Sequence, residues 1–464
     1  MLTDPNLTGV ELPSIELLQK FDVPAPRYTS YPTADRFNKN FSAADYEEAL
    51  KTRELVKPLS LYVHIPFCND ICFYCGCNKQ VTRDHSKSAE YLDVLDQEIG
   101  LVKERIAGET TVSQLHFGGG SPTFLNNEEI ERVMSLITSR FPLQSAGEFS
   151  IEVDPRTCPP EKVQALAKVG LNRMSCGVQD FNPEVQKAVN RIQPFEMTRD
   201  TMLAAREAGF HSINMDLIYG LPKQTRKSFE KTLDQVLELS PDRIALYHYA
   251  HLPHHFPPQR RILDADLPST VEKVHIMMDA ITRLTQNGYR YIGMDHFAKL
   301  TDELAIAQQE GKLQRNFQGY STRPDCDMVA LGVSAISNIH HCYACNPREL
   351  QAYYEAIRAG RLATNRGYRL SEEDQLRHAV IMTIMCQFRI VKAEIETRFG
   401  INFDETFAYE IRKLQNYQKV GFVELTPEEI VVSPKGKIFV RAVAMQFDRY
   451  LRESDRAGGY SKIA

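Results

Sequence analysis

Leu61 to Asn78 reads LYVHIPFCNDICFYCGCN and holds Cys68, Cys72, Cys75 and Cys77, four of the chain's ten cysteines. The first three follow C-x3-C-x2-C. They come directly after an apolar run, Ser60 to Phe67, that reads as a buried strand. The thiols therefore stand beyond the C-terminal end of a strand, where parallel α/β folds place their chemistry. Thiolates are soft ligands that suit iron–sulfur clusters, zinc and copper(I). Three on one short loop can hold three irons of a [4Fe-4S] cube and leave the fourth open to a substrate or cofactor. The alternative is a structural zinc closed by Cys77, although such sites more often use two separated ligand pairs.

The totals narrow the class. A chain of 464 residues has room for a large catalytic domain and a smaller one. Hydrophobic residues at 43% and charged residues at 25% suit a soluble globular protein. Lys plus Arg is 55 and Asp plus Glu is 60, a formal charge of −5. That balance points to neither nucleic acid nor an anionic membrane as partner. No apolar run approaches the roughly 20 residues of a membrane helix. The opening MLTDPNLTGVELPS lacks the charged-then-apolar pattern of a signal peptide, so a cytoplasmic location is expected, with free thiols. Cys342 and Cys345 form a C-x2-C pair with no second pair near it, which reads as incidental.

Four segments are expected. Residues 1–52 form an N-terminal arm. Within it PRYTSYPTADRF, Pro26 to Phe37, reads as an extended segment laid on a surface. Its Arg27 is either a solvated cation or a clamp on a carboxylate. Residues 53–287 alternate strand-like and helix-like runs. The strands are Leu61–Phe67, Ser113–Gly118, Phe149–Asp154, Arg173–Gln179, Ser212–Tyr219 and Arg243–Tyr249. Amphipathic stretches such as Ser88–Ile106 lie between them. Six such units imply an α/β fold with a parallel sheet and right-handed crossovers. Periodicity does not separate an open barrel from a doubly wound sheet. Residues 288–370 change pattern, with a helix expected over 301–312. Asp295, His296, Asn316, Gln318 and Tyr320 there read as pocket lining. Residues 371–464 read as a mostly helical unit. Its FVELTPEEIVVSPKGKIFVRAVAMQFDRYL suggests a small hairpin followed by a long helix, in a lid or substrate-domain role.

If the strands are parallel, their C-terminal ends share one rim, and polar residues gather there. Gly118-Gly119-Gly120-Ser121 follows the second strand. Glycines let backbone approach a ligand and offer N–H donors, as they also do in a plain tight turn. Glu152 lies on an otherwise apolar third strand. Gln179, Arg191 and Asp216 follow on the next two, and Ala250 closes the sixth. A carboxylate such as Asp216 in an apolar strand is costly unless partnered.

The cysteine loop resembles that of the radical S-adenosylmethionine (SAM) enzymes. The CGCNK form, with Cys77, and the PRYTSYPT arm resemble the oxygen-independent coproporphyrinogen III oxidase (HemN) family over nearly the whole chain. The resemblance implies an open (βα)6 partial barrel with a smaller, mostly helical C-terminal domain. It implies that Cys68, Cys72 and Cys75 hold a [4Fe-4S] cluster, with Cys77 a functional cysteine outside it and Tyr62 a further catalytic residue. It also implies two SAM molecules. Tyr62, Gly119, Glu152 and Ile336 would hold the one on the cluster. Tyr74, Gly120, Ser121, Gln179, Arg191, Asp216 and Ala250 would hold the second. The chain departs from the family pattern with Gly120 where many relatives carry Glu, Tyr74 for Phe and Ser121 for Thr; the last two keep the ring and the hydroxyl.

The implied reaction is anaerobic oxidative decarboxylation in haem biosynthesis. A 5′-deoxyadenosyl radical takes hydrogen from the β-carbon of a propionate on coproporphyrinogen III. Loss of CO2 and one electron leaves a vinyl group, twice over, giving protoporphyrinogen IX. Arg27 is the named candidate for a substrate carboxylate. The partners implied are coproporphyrinogen III, a flavodoxin- or ferredoxin-like electron donor and an unidentified electron acceptor, with the chain a monomer. A haem-carrying relative with the same cluster loop is the competing reading. Such relatives typically lack the Cys77 equivalent and the arm.

Overall fold

The computed structural model describes residues 8–323, 326–452 and 460. The outer ends of the first and last expected segments, 1–7 and 461–464, and residues 324–325 and 453–459, lie outside it. The expected strands and helices alternate through the first half. They are β1 (Leu59–Ile65), α1 (Ser86–Arg105), β2 (Val112–Gly119), α2 (Asn127–Thr138), β3 (Leu143–Val153), α3 (Pro160–Lys168), β4 (Arg173–Gln179), α4 (Phe195–Glu207), β5 (Ser212–Tyr219), α5 (Arg226–Leu239), β6 (Arg243–His248) and α6 (Thr270–Gln286). Local signals set the helix ends. In α2, Asn126 accepts from the Glu129 N–H while the Glu129 side chain returns to the Asn126 N–H, a reciprocal cap.

β1 to β6 pair in parallel and in sequence order. β1 is central, and six of its seven residues are buried, as a strand covered on both faces must be. Strands β4 and β5 instead alternate. Met174, Cys176 and Val178, with Ile213, Met215 and Leu217, are buried in the hydrophobic core. The side chains of Ser175, Gln179, Asn214 and Asp216 fall on the opposite face, where they line cavities. Register brings these polar positions level. Glu152 stands opposite Ser175, Gly177 opposite Asp216, and Tyr62 opposite His116.

Beyond the six expected strands the sheet grows at both edges to twelve among the described residues. Asp327–Leu331 adds a seventh parallel strand against β1. Ile336–Ile339, Cys342–Cys345 and Arg366–Arg369 follow it antiparallel. At the other edge His296–Lys299 and Tyr289–Gly293 extend β6 antiparallel. The hairpin Gln314–Asn316 with Gly319–Ser321 is tied to the inner face of the sheet. Gln114 Nε2 donates to Ser321 Oγ at 2.9 Å. The helix expected over 301–312 is Glu303–Gln309.

Two expectations are corrected. The Pro26–Phe37 segment is not laid on a surface: Tyr28 and Tyr31 are fully buried and belong to the core of the C-terminal unit. The Tyr28 hydroxyl donates to Asp448 Oδ2 at 3.0 Å. The long C-terminal helix is instead a series of short turns, Lys437–Phe439, Val440–Ala444, Met445–Phe447 and Arg449–Arg452. Asp448 breaks it. Its backbone is extended, and its carboxylate accepts from the Tyr450 and Leu451 N–H groups, which starts a new turn. The hairpin ahead of it, Val423–Leu425 and Glu429–Val432, gains a third strand, Arg389–Val391. No helix among the described residues is long and apolar enough to cross a membrane.

Candidate active site

The thiol loop leaves β1 at Pro66 and is pinned on several sides. The Phe73 N–H donates to Val189 O at 2.9 Å, and Asn190 Nδ2 donates to Ile71 O at 2.8 Å. Gln259 Nε2 donates to both Tyr74 O (2.9 Å) and Ala250 O (3.2 Å), tying the loop to the end of β6. The result is a cavity of ≈ 350 Å3 at the C-terminal rim. Cys68, Cys72, Cys75 and Cys77 line one side of it with Tyr74. Gly119, Gly120, Ser121 and Glu152 come from β2 and β3. Gln179 comes from β4, Arg191 from the segment after the short helix Pro183–Ala188 that follows β4, and Asp216 from β5. Twelve of the sixteen residues assigned in the sequence to the cluster, SAM, catalysis or a substrate carboxylate thus meet in one space.

Four do not line it. Tyr62 lies just beneath, its hydroxyl 3.1 Å from His64 Nδ1 and its ring stacked on His116. Ala250 contributes its carbonyl to the Gln259 tie. Ile336 opens the strand Ile336–Ile339 and packs with Phe37, Tyr343 and Cys345. Arg27 stands further off, 2.5 Å from Asp295 Oδ2.

Of the two properties read into the glycine run, close approach and N–H donors for a ligand, the structure shows the first. The Gly119 N–H donates to Glu152 Oε2 at 3.2 Å, the Gly120 N–H to Ile65 O and the Ser121 N–H to Phe67 O, both at 2.8 Å. All three are engaged within the protein. What glycine supplies is closeness. At Gly119, with φ +120°, a Cβ would lie 2.8 Å from His64 Cε1 and from Ile65 O. At Gly120 it would lie 2.8 Å from Pro66 O. The exit of β1 and the end of β2 are thereby pressed together beneath the thiols.

Cations surround the sulfurs. Arg191 Nη1 lies 3.7 Å and Arg156 Nη2 3.5 Å from Cys72 Sγ. Lys79 Nζ donates to Cys75 O and Cys77 O, each at 3.4 Å. Burial and the neighbouring sulfurs of Cys75 and Cys72 push the Cys68 thiol up to about 12. The Cys77 thiol, by hydrogen bonding to Cys75 and with Lys79 beside it, brings Cys75 down to about 5 against the effect of burial. The same hydrogen bond holds Cys77 well above the usual thiol range. Metal ligation removes such protons outright. The donor set fits a cluster, with three sulfurs on one loop facing a cavity rimmed by guanidinium and ammonium groups. Arg191 Nε is buried with no partner, so a further acceptor has a place there.

The sequence reading passed over Asp154, Arg156 and His64. Asp154 accepts from Arg156 Nη2 at 2.7 Å and Arg191 Nη1 at 3.1 Å. Burial would raise its pKa, but Arg191 and Arg156 outweigh it and hold the carboxyl at about 2. The signal was there in SIEVDPR, since Asp154 follows Glu152 at the strand period of two. His64 links Tyr62 to the thiol loop, its Nε2 lying 3.1 Å from Asn78 O.

Asp216 accepts from Ser175 Oγ (3.0 Å) and Asn214 Nδ2 (2.9 Å). Burial, then the charge on Glu152, raise it to about 6. The folded state therefore holds this proton more tightly than the unfolded chain does. Stability at Asp216 grows as pH falls through about 6 and levels off below the unfolded value of roughly 4. Asp216→Asn is expected to melt higher than the parent at pH 7 and to lose that difference at pH 4, as thermal unfolding at the two pH values will read.

Glu152, Ser175, Asp216 and Tyr247 also border a second, inner cavity of ≈ 180 Å3. His296, Asn316, Gln318 and Tyr320 line it, as the sequence reading placed them. Asp295 does not. It lies at a neighbouring small void with Arg441.

A rim of parallel strands with a thiol loop after the first and a glycine run after the second defines the radical SAM class. The Radical SAM superfamily model matches residues 62–236, and the HemN C-terminal domain model matches 370–439. The chain is 48% identical to the oxygen-independent coproporphyrinogen III oxidase of Escherichia coli (strain K12), over 97% of this chain and 98% of that one. It is 46% identical to the Pseudomonas aeruginosa protein of the same name, over 95% and 96%. The solved structure of coproporphyrinogen III oxidase (HemN) from Escherichia coli, described as a radical SAM enzyme, superposes with a TM-score of 0.91. Identity there is 47%, covering 95% of this chain and 99% of that one. The chain belongs to the oxygen-independent coproporphyrinogen III oxidase family. It is an oxidoreductase whose cofactors are a [4Fe-4S] cluster and SAM.

Proposed function

We infer that the chain converts two propionate side chains of coproporphyrinogen III to vinyl groups, giving protoporphyrinogen IX in haem biosynthesis. The observation that carries this is the full-length likeness to the oxidases, in a chain whose Cys68, Cys72, Cys75 and Cys77 all line one cavity. Cys68, Cys72 and Cys75 would hold the cluster, and its charge would be met by Arg191, Arg156 and Lys79. When bound, the cluster and SAM supply a one-electron cleavage that yields a 5′-deoxyadenosyl radical. The residues of the chain position and shield. Glu152 and Gly119 would line the place of one SAM, with Tyr62 beneath them and Ile336 further out, packed with Phe37 and Tyr343. A second SAM would lie against Tyr74, Gly120, Ser121, Gln179, Asp216 and Ala250, with its carboxylate on the unpartnered Nε of Arg191. Cys77, exposed at the loop, is placed to act on the substrate side.

Further parts of this reading concern partners. Gly76 and Cys77 are exposed, which supports electron entry from a flavodoxin- or ferredoxin-like donor at this loop. An acceptor takes one electron per vinyl formed. We place the protein in the cytoplasm as a monomer, with the C-terminal unit closing over the substrate and Arg27 near a substrate carboxylate. Anaerobic incubation with SAM, a chemical reductant, an electron acceptor and coproporphyrinogen III, followed by oxidation, is expected to give protoporphyrin, read by its fluorescence. Recovery of coproporphyrin alone from cluster-replete protein sinks the assignment.

A further inference from the structure

Beside the inner cavity lies a buried cation with no anion of its own. Arg315, on the strand Gln314–Asn316, is only 8% exposed. Its ladder partner is Tyr320, and its guanidinium lies 4.7 Å over that ring. Its Nε makes a long 3.4 Å contact with Arg27 O, while Nη1 is buried and meets no acceptor. Three other buried arginines are matched to carboxylates: Arg53 to Asp327 at 2.7 Å, Arg377 to Glu410 at 2.9 Å, Arg191 to Asp154 at 3.1 Å. No carboxylate among the described residues forms an ion pair with Arg315. The nearby Arg27 is already neutralised by Asp295 at 2.5 Å.

A guanidinium taken out of water without a counter-ion destabilises the fold. This one is held against an aromatic wall that the cavity uses. Tyr320 and His296 meet edge to face at 5.3 Å, Tyr247 and His296 at 5.8 Å, and all three line the cavity. Burial and the charge of Arg315 hold His296 down at about 4, so the imidazole adds no competing charge. The inner cavity shares Glu152, Ser175, Asp216 and Tyr247 with the thiol cavity as common walls. A flat tetracarboxylate lying across both would bring one carboxylate to this wall and another side chain to the thiols.

We propose that Arg315 binds a propionate carboxylate of the substrate, its free Nη1 donating to the carboxylate oxygen. This rests on the function proposed above. The test uses reconstituted holoenzyme, kept anaerobic, as wild type, Arg315→Met and Arg315→Lys. Affinities are measured for coproporphyrin III, the stable aromatic tetra-acid, and for its tetramethyl ester, together with Tm in the absence of either. Arg315→Met is expected to bind the tetra-acid roughly 10- to 100-fold more weakly, the range of one charge-assisted hydrogen bond. Its affinity for the ester is expected to stay, and its Tm to be no lower than wild type, because a methionine fills similar space with no charge to desolvate. Arg315→Lys keeps the charge but not the fork, so an intermediate loss is expected, and this variant decides the matter where Arg315→Met does not fold.

Unchanged tetra-acid affinity in the variants overturns the proposal. So does an equal loss for acid and ester with a lowered Tm, which marks a structural arginine. A wild-type protein that binds no tetra-acid overturns the proposed function, and this assignment with it. That result appears before any substitution is made, so the two failures are distinguishable.

Discussion

Cys68→Ala, Cys72→Ala and Cys75→Ala are each expected to give folded protein without the visible absorption of an iron–sulfur cluster, and without turnover. Under the proposed assignment each thiol would supply one iron ligand, and none of the other six cysteines outside the loop lines the cavity to replace it. The loss in rate should exceed about three orders of magnitude, because the cofactor carries the hard chemistry and no side chain takes hydrogen from an unactivated carbon. Reconstitution under anaerobic conditions, with iron and sulfide counted per chain, checks the ligands separately from the activity. A full cluster in all three variants removes the assignment. Cys77→Ser provides the contrast. Its cluster content is expected to match the parent while turnover is lost, and normal turnover in that variant removes the role given to Cys77.

The second large effect lies one layer behind the sulfurs. Asp154 is the only carboxylate hydrogen bonded to Arg156 and Arg191 among the described residues, and both guanidiniums lie within 3.7 Å of Cys72 Sγ. In protein without the cluster, Asp154→Asn leaves the buried Arg191 and the partly buried Arg156 with no carboxylate between them. The expected cost is about 3–5 kcal/mol of folding stability, the range for breaking one side of a buried charge pair. The pH dependence has a definite sign. The folded pKa of Asp154, about 2, lies below the unfolded value of roughly 4. Its contribution is therefore complete above roughly pH 4 and fades as pH falls toward 2. Thermal unfolding of Asp154→Asn should show a lowered Tm at neutral pH and a shallower further loss in acid. An unchanged Tm at pH 7 means that the pair does not hold this corner of the site together. Arg191→Met is expected to be milder, because Arg156 still pairs with Asp154.

Much of the active site could be read along the chain because each part is local. The C-x3-C-x2-C spacing lies within one loop, and a strand's period of two brings Glu152, Ser175 and Asp216 to one face without knowledge of their neighbours. Parallel pairing then carries every strand end to the same rim, so residues more than a hundred positions apart converge. Where the reading erred, the missing information was not local. Tyr28 and Tyr31 look like surface residues in a proline-rich arm, and become core only because a C-terminal unit some 350 residues on closes over them. Strands of three to five residues, such as Asp327–Leu331, carry too little pattern to announce a seventh parallel partner for β1.

The thiol loop shows the same division. Its four thiols, their spacing and their place after a buried strand are properties of Leu61–Asn78 alone. The contrast between three proposed ligand positions and Cys77 comes from the resemblance to the oxidases. What only the tertiary structure decided is the charge around them. Arg156, Arg191 and Asp154 come from later units, and their hydrogen bonds form only when the end of β3 and the segment after the helix Pro183–Ala188 are brought to the rim beside β1. Arg315, whose own partner is missing, is another such case. A charged residue in a short strand reads as solvated until packing removes the water and leaves its Nη1 without an acceptor.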